Sequence, residues 1–471
     1  MILSARPLVA DPGKLRLWVG AFGLPDAPAQ LPLPIFLCGA SQLLPRPADR
    51  WFAVRDRQTG KNGKNGRPLN YQGVFELDSP APSEVVELTV RLLDAQSTAR
   101  FRSMPATVSS WQGGGFTLLL SSCYYQDTDD GVFDGLAGRL LQRPDLVLLV
   151  GDQVYMDFPQ LEDVPSSQPA ISKFFAEKYA KHFLSREFGG RGLHSLLQLA
   201  PTACIPDDHE LWNNFPEPSY LMLGTHSATQ YQLLSTAARE TYEDFQLGGG
   251  QRTADGAQRF VVDPLHFLLL DARFDRDRET SARYGLFTQR SEQDLLDWSH
   301  DLLQAHWAGN TAIGVLAVGQ ILFDQPLGFI DSALDKNLYS YSQFQVLLTV
   351  IRTLATAGVP VLYLSGDVHY SRVAKARYIS TAHDCLFEVI SSPSSLLRYL
   401  SSSPKRPPDT LDSKRFETVD DSYLDSGNMV STLTFVRAGD SVDVSVINYS
   451  LERGRRSGRA APVTFRMTPR R

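Results

Sequence analysis

The chain is poor in cysteine, lacks long apolar runs and carries no excess of positive charge. Four cysteines in 471 residues, Cys38, Cys123, Cys204 and Cys385, are too few for a disulfide-built scaffold. No apolar run approaches the roughly 20 residues of a membrane span. Residues 1–25 show no basic leader followed by an apolar core and a cleavage site, so the chain reads as cytoplasmic. Lysine and arginine against aspartate and glutamate give 46 − 52 = −6, which argues against a general nucleic-acid binder. A phosphorylated small-molecule or phosphodiester substrate stays compatible, because local charge decides that. No internal repeat is evident. What remains, 43% apolar and 21% charged residues, is the make-up of a globular protein large enough for two or three domains.

The first 110 residues hold short, partly alternating runs separated by Pro, Gly, Asn and Asp clusters, the pattern of a small β-sandwich. Two Asn-Gly pairs in 61–67 predict an exposed hairpin tip. From 111 to about 450, strands alternate with helical stretches, as in an α/β domain. Helices are predicted in 131–142, 171–199, 237–245, 291–307 and 341–358. The aromatic, irregular stretch 211–231 reads as a wall or lid, 404–424 as a polar loop, and 429–449 as a hairpin. An arginine-rich segment, 451–471, closes the chain as a solvated tail.

Four apolar strands end in metal-ligand chemistry. Val361-Leu362-Tyr363-Leu364 leads to Gly366-Asp367-Val368-His369, and 146–150 to Gly151-Asp152-Gln153-Val154-Tyr155. Residues 202–205 lead to Pro206-Asp207-Asp208-His209-Glu210, and 116–120 to Ser121-Ser122-Cys123. Each alone has a structural explanation: a Gly-Asp turn, a solvated cap, or a buried thiol. Together they predict that the strand ends meet. The donors are the Cys123 thiolate, the Tyr155 phenolate, the His369 imidazole and the carboxylates Asp152, Asp208 and Asp367. Such a set suits two ions sharing a carboxylate, the arrangement that stabilises in-line displacement at phosphorus. Thiolate and phenolate point to a transition metal such as iron, and the carboxylates to a harder partner.

As a set, Ser122-Cys123, Gly151-Asp152-x-x-Tyr155, Asp207-Asp208-His209-Glu210 and Gly366-Asp367-x-His369 resemble the PhoD-like (alkaline phosphatase D) metallophosphatases, within the calcineurin-like metallophosphoesterases. The resemblance spans roughly 116–393 and includes Leu270-Asp271-Ala272-Arg273. It implies a two-sheet α/β/β/α sandwich preceded by a small β-sandwich domain. It implies Fe3+ with Ca2+ or another divalent ion (Mn2+, Zn2+ or Mg2+). By motif position Cys123 and Tyr155 hold the iron, Asp152 bridges, and Asp208 falls where related enzymes place an Asn ligand. Asp367 and His369 complete the pair, with their division between the ions open. The implied activity is hydrolysis of phosphomonoesters or phosphodiesters by a metal-bound hydroxide. His209 would protonate the leaving oxygen or steady the transition state, with Glu210 orienting its ring. Arg273 would clamp a phosphate oxygen or form a structural ion pair. The alternative is a metal-containing protein that binds a phosphate ligand with little turnover. The chain departs from the family at Pro206, where many members carry Trp, and no leader of the kind common among them is visible in the sequence.

Overall fold

Continuous apolar strands need both faces covered, and that requirement organises the fold. The computed structural model describes residues 1–24, 30–56, 68–79, 83–110, 114–129, 131, 133–157, 164–184, 192–219, 222–248, 256–278, 285–323, 338–396, 414–425, 427–451 and 460–470. Alternate residues of each central strand enter different cores. Leu118, Leu120, Leu146, Leu148 and Val150 meet Leu362, Leu364, Phe387 and Val389 between two sheets. Leu119, Val147 and Leu149 face helices on one outer side, and Val361 and Tyr363 face helices on the other. The architecture is mixed α/β: two large sheets face to face, with helices on both outer faces.

The first sheet has ten strands, in the order Val463–Met467, Ser441–Ser450, Met429–Ala438, Phe116–Ser121, Leu146–Val150, Thr202–Ile205, Ile2–Leu8, Lys14–Phe22, Tyr71–Asp78 and Phe52–Ala53. The second has seven: Gln258–Val262, Leu265–Leu269, Ile313–Ala317, Val361–Ser365, His383–Ile390, Ser371–Tyr378 and Phe416–Asp425. Helices Gln168–Phe183 and Ala228–Tyr242 cover the first sheet. Helices Gln289–Trp307 and Phe344–Ala357 cover the second. The last of these buries Leu347, Leu348, Ile351, Leu354 and Ala355, a one-sided stripe, and stops at Gly358 with φ +83°.

A third sheet of four strands, Ser41–Leu43, Ile35–Cys38, Val85–Leu92 and Ala95–Arg102, packs its alternate residues on the N-terminal strands. Those strands do not stand apart. Ile2–Leu8 pairs antiparallel with Lys14–Phe22 and meets Thr202–Ile205 in parallel at Leu8↔Thr202, so one sheet runs through both halves of the chain.

Several local expectations change. The helix predicted in 131–142 is a single 3-10 turn, Leu136–Gly138, with only Leu136 buried; three glycines at 131, 135 and 138 weaken a helix there. The helix predicted to start at 291 begins at Gln289, capped by Thr288, whose side chain accepts from the Ser291 amide. Part of the polar loop is a strand, Phe416–Asp425, at a sheet edge; polar edge strands resist edge-to-edge association and lack the usual alternation signal. The predicted solvated tail contains the edge strand Val463–Met467, where Arg466 pairs with Asp443 through two bonds of 2.5 and 2.9 Å. The tip at 61–67 and the arginines at 453, 455, 456, 459 and 471 lie outside the described residues. Among the described residues, no helix is long and apolar enough to cross a membrane.

Candidate metal centre

Strands Phe116–Ser121, Leu146–Val150 and Thr202–Ile205 run parallel, as do Leu265–Leu269, Ile313–Ala317 and Val361–Ser365, so the turns that follow them collect at the sheets' C-terminal edges. Two glycines let those turns interlock. A Cβ on Gly151 (φ +96°) would lie 2.5 Å from Asp207 Cβ. One on Gly366 would lie 2.4 Å from both Ser122 Cβ and Oγ and 2.8 Å from the Val150 carbonyl. The backbones then tie together. The Cys123 amide donates to the Gly151 carbonyl (3.1 Å), Ser394 to Ser122 (2.9 Å) and Gly366 to Gly319 (3.1 Å).

Side chains that leave these turns carry an uncommon backbone conformation. Cys123, Asp152, Asp367 and His369 have φ of 52°, 59°, 66° and 56°, four of the eight described non-glycine residues with positive φ. A left-handed residue with a Cβ costs about 1–2 kcal/mol. Such conformations concentrate where function over-determines geometry.

Three groups of donor atoms result, each with all its atoms within 4.8 Å of one another: Cys123, Asp152 and His369; Asp152, Asp208 and His209; Asp152, Asp207, Asp208 and Asp367. Asp152 belongs to every group. His369 falls with the thiol, and Asp367 with the carboxylates. Tyr155 packs its ring 4.1 Å, centroid to centroid, from the His209 imidazole, and lies in the field of Cys123 and Asp152. The Cys123 sulfur accepts from Ser392 Oγ (3.1 Å) and Ser122 Oγ (3.4 Å) and lies 3.4 Å from Asp152 Oδ2. Asp207, not foreseen as a donor, has a buried Oδ2 with no hydrogen-bond partner among the described residues.

The electrostatics favour a cation. Burial first, then neighbouring anions, push Cys123, Asp152 and Tyr155 well above their ordinary pKa values. Burial also acts on Asp208, yet Arg273 and His209 outweigh it and hold that carboxyl below its usual range. Anions crowded beside an orphaned carboxylate oxygen are the setting that a multivalent ion reverses. Thiol, imidazole and carboxylate donors on one side and four carboxylates on the other therefore fit metal ions.

Partner assignments around His209 differ from the expectation. The ring is held by Asp157, with Nδ1 2.8 Å from Oδ1, and not by Glu210. Asp157 is itself 3% exposed and accepts from the Asn213 amide through Oδ2 (2.9 Å). Glu210 instead accepts from the amides of Asp152 (2.9 Å), Gln153 (2.6 Å), Val154 (3.2 Å) and Asp207 (2.8 Å). It joins two of the motif turns as the acid of a capping box opened by Asp207. Against burial, Asp157 and Asp208 raise the His209 pKa well above its ordinary value. Arg273, 2% exposed, donates from Nε to Asp207 Oδ1 (2.6 Å) and from Nη1 to the Phe215 carbonyl (2.9 Å). Of its two expected roles, the observed contacts are those of the ion pair. The stretch after the motif is a wall in which Trp212 meets Phe215 and Tyr231 edge-on at 5.0 Å each. It is pinned to the centre by the Asn214 amide, which donates to Asp208 Oδ2 at 2.6 Å. Asp157 lay two residues past Tyr155, and Asp207 beside Asp208; spacing alone marked neither.

No protein-family model matches the chain, and no curated protein matches it. Among solved structures, the crystal structure of Chaetomium thermophilum Vps29 aligns at a TM-score of 0.27 and 9% identity, covering 76% of this chain and 100% of that one. A likeness of that size assigns neither fold nor activity.

Proposed function

We propose that this chain is a two-metal phosphoesterase acting on phosphomonoesters or phosphodiesters, of the PhoD-like kind that its motifs resemble. The observation that carries the reading is Asp152, the one residue common to all three donor groups. Cys123 and His369, with Tyr155 beside them, would hold a transition metal such as iron. Asp207, Asp208 and Asp367 would hold a harder ion such as calcium, and Asp152 would serve both. Bound there, two cations supply Lewis-acid chemistry for ester hydrolysis.

The remaining roles belong to the protein. Asp157 holds His209 through Nδ1, and this imidazole is the group that would present a proton to the leaving oxygen. Glu210 keeps the two motif turns at a fixed separation through four amides. Arg273 balances part of the acid charge at Asp207 and Asp208, at 2.6 and 4.0 Å. Trp212, with Phe215 and Tyr231 edge-on to it, forms an apolar wall in the stretch that the Asn214 amide ties to Asp208.

The test is elemental analysis of the purified protein together with hydrolysis of a chromogenic monoester and diester. Bound metal, turnover lost on chelation, and loss of both metal and turnover in Asp152→Asn are the expected results. Metal without turnover on any ester would favour a phosphate-binding protein. A metal-free protein that takes up none on reconstitution would end both readings.

A further inference from the structure

Two strands from different sheets end side by side at the thiol of the candidate centre. Phe116–Ser121 runs into Ser122-Cys123, and His383–Ile390 runs into Ser391-Ser392. The second run is stapled onto the first. Ser391 Oγ donates to the Leu120 carbonyl (3.0 Å), the Ser394 amide to the Ser122 carbonyl (2.9 Å) and the Ser395 amide to the Cys123 carbonyl (3.2 Å). Ser392 lies between those fastenings and is 0% exposed.

The surroundings of the sulfur decide what Ser392 does. Asp152 Oδ2 (3.4 Å) and the Asp367 carbonyl (3.8 Å) lie beside it, and neither a carboxylate nor a carbonyl has a proton to give a thiolate. Two hydroxyls remain. Ser122 Oγ is 3.4 Å from the sulfur, but the Ser391 carbonyl stands nearer to it, at 2.8 Å, and a hydroxyl has one proton. Ser392 Oγ is 3.1 Å from the sulfur and accepts from the His369 amide (3.2 Å), so its own proton is directed at the sulfur. One hydroxyl thus touches both the Cys123 thiol and the backbone of His369, two members of the same donor group.

We propose that Ser392 is a positioning residue for the thiol side of the centre, whose O–H···S bond fixes the Cys123 sulfur and limits the electron density it passes to a bound ion. A donor on a ligating sulfur draws on the lone pairs that would otherwise go to the metal, and hydrogen bonds of this kind tune metal centres. Ser392 is held by the staples on either side of it, so its hydroxyl is in place without help from an ion. The inference rests on the reading of Cys123 as a metal ligand and adds to it a residue that touches the ligand and not the metal.

The test uses the full chain, stripped of metal, loaded with Co2+ and read by its thiolate-to-cobalt charge-transfer band, which reports only ions bound to sulfur. Ser392→Ala should move the band to lower energy, because the sulfur is left richer in electrons. It should also lower cobalt affinity by roughly 10–100-fold. Ser392→Thr keeps a hydroxyl and should return the band toward its wild-type position, and Ser122→Ala should move it less than Ser392→Ala does. If Ser392→Ala does not fold, the wild type decides by resonance Raman: the cobalt–sulfur stretch should shift when the metal-free protein is exchanged into deuterium oxide before loading. A band that Ser392→Ala leaves in place, a larger shift in Ser122→Ala, or a stretch indifferent to deuterium would overturn the assignment and leave the metal centre standing. A wild type without any thiolate band would instead remove Cys123 from the ligands, and this inference with it.

Discussion

Adding one methyl group at Gly366 tests whether the two sheets must approach closely for the centre to exist. In Gly366→Ala the new carbon would sit 2.4 Å from Ser122 Cβ and Oγ, 3.4 − 2.4 = 1.0 Å inside ordinary contact, with the Val150 carbonyl at 2.8 Å behind it. One of the obstructing atoms is backbone, so relief requires the turn that carries Asp367 and His369 to move away from the turn that carries Cys123. Overpacking of this kind costs about 1–3 kcal/mol, and a backbone obstruction places it at the upper end, about 3 kcal/mol. A shift on the order of 1 Å also exceeds the roughly 0.2 Å tolerance of metal–ligand distances. Metal affinity should therefore fall more steeply than stability. Urea denaturation and metal titration, each run beside Gly135→Ala, measure the two effects. A Cβ on Gly135 meets nothing within 4 Å, so that control should stay within about 0.5 kcal/mol of wild type. A Gly366→Ala protein that matches the control in both assays would refute the argument that this glycine sets the approach of the two turns.

Three further outcomes follow from particular contacts. Asp157→Asn leaves every donor of the metal groups in place and removes the charge that holds His209 Nδ1 at 2.8 Å. Turnover should drop by roughly 10²-fold with metal content unchanged, and loss of metal would place Asp157 among the ligands instead. Arg6 is 1% exposed and stacked on Trp18 and Phe183 at 4.7 and 5.0 Å. None of its three guanidinium nitrogens has a hydrogen-bond partner among the described residues, and burial lowers its pKa to about 10. Arg6→Met should be neutral or stabilising by about 1–4 kcal/mol in denaturation, and a clear loss of stability would show that the buried cation is compensated. His182 is buried, and burial lowers its pKa from 6.5 to about 4. Between those values the unfolded chain binds the proton and the folded one does not, so stability is complete above pH 6.5 and declines as pH falls toward 4. The loss should reach about 2 kcal/mol by pH 5 and be absent in His182→Phe; equal pH slopes in the two proteins would exclude His182 as the cause.

The chemistry of the centre was local, and so it was legible. An apolar run of five residues followed by Gly-Asp fixes a strand, its exit and the type of donor at its end, because period-two burial and the glycine turn need no distant partner. The strand ends at 123, 152, 208 and 367–369 were readable on those terms, and they do converge. Identities of partners were not readable. Glu210 follows His209 directly, but the 3-10 turn aims its carboxylate at the amides of Asp152, Gln153, Val154 and Asp207, while the ring is met by Asp157 from 52 residues earlier. Arg273 meets Asp207 from 66 residues away. The strand Ile2–Leu8 joins the N-terminal strands to the central ones through one register position that no local pattern marks. Donor type and strand ending are properties of a few neighbouring residues, and the sequence by itself determined them. Which carboxylate faces which cation depends on how two sheets stack and how close two glycines let their turns approach, and only the tertiary structure decided that.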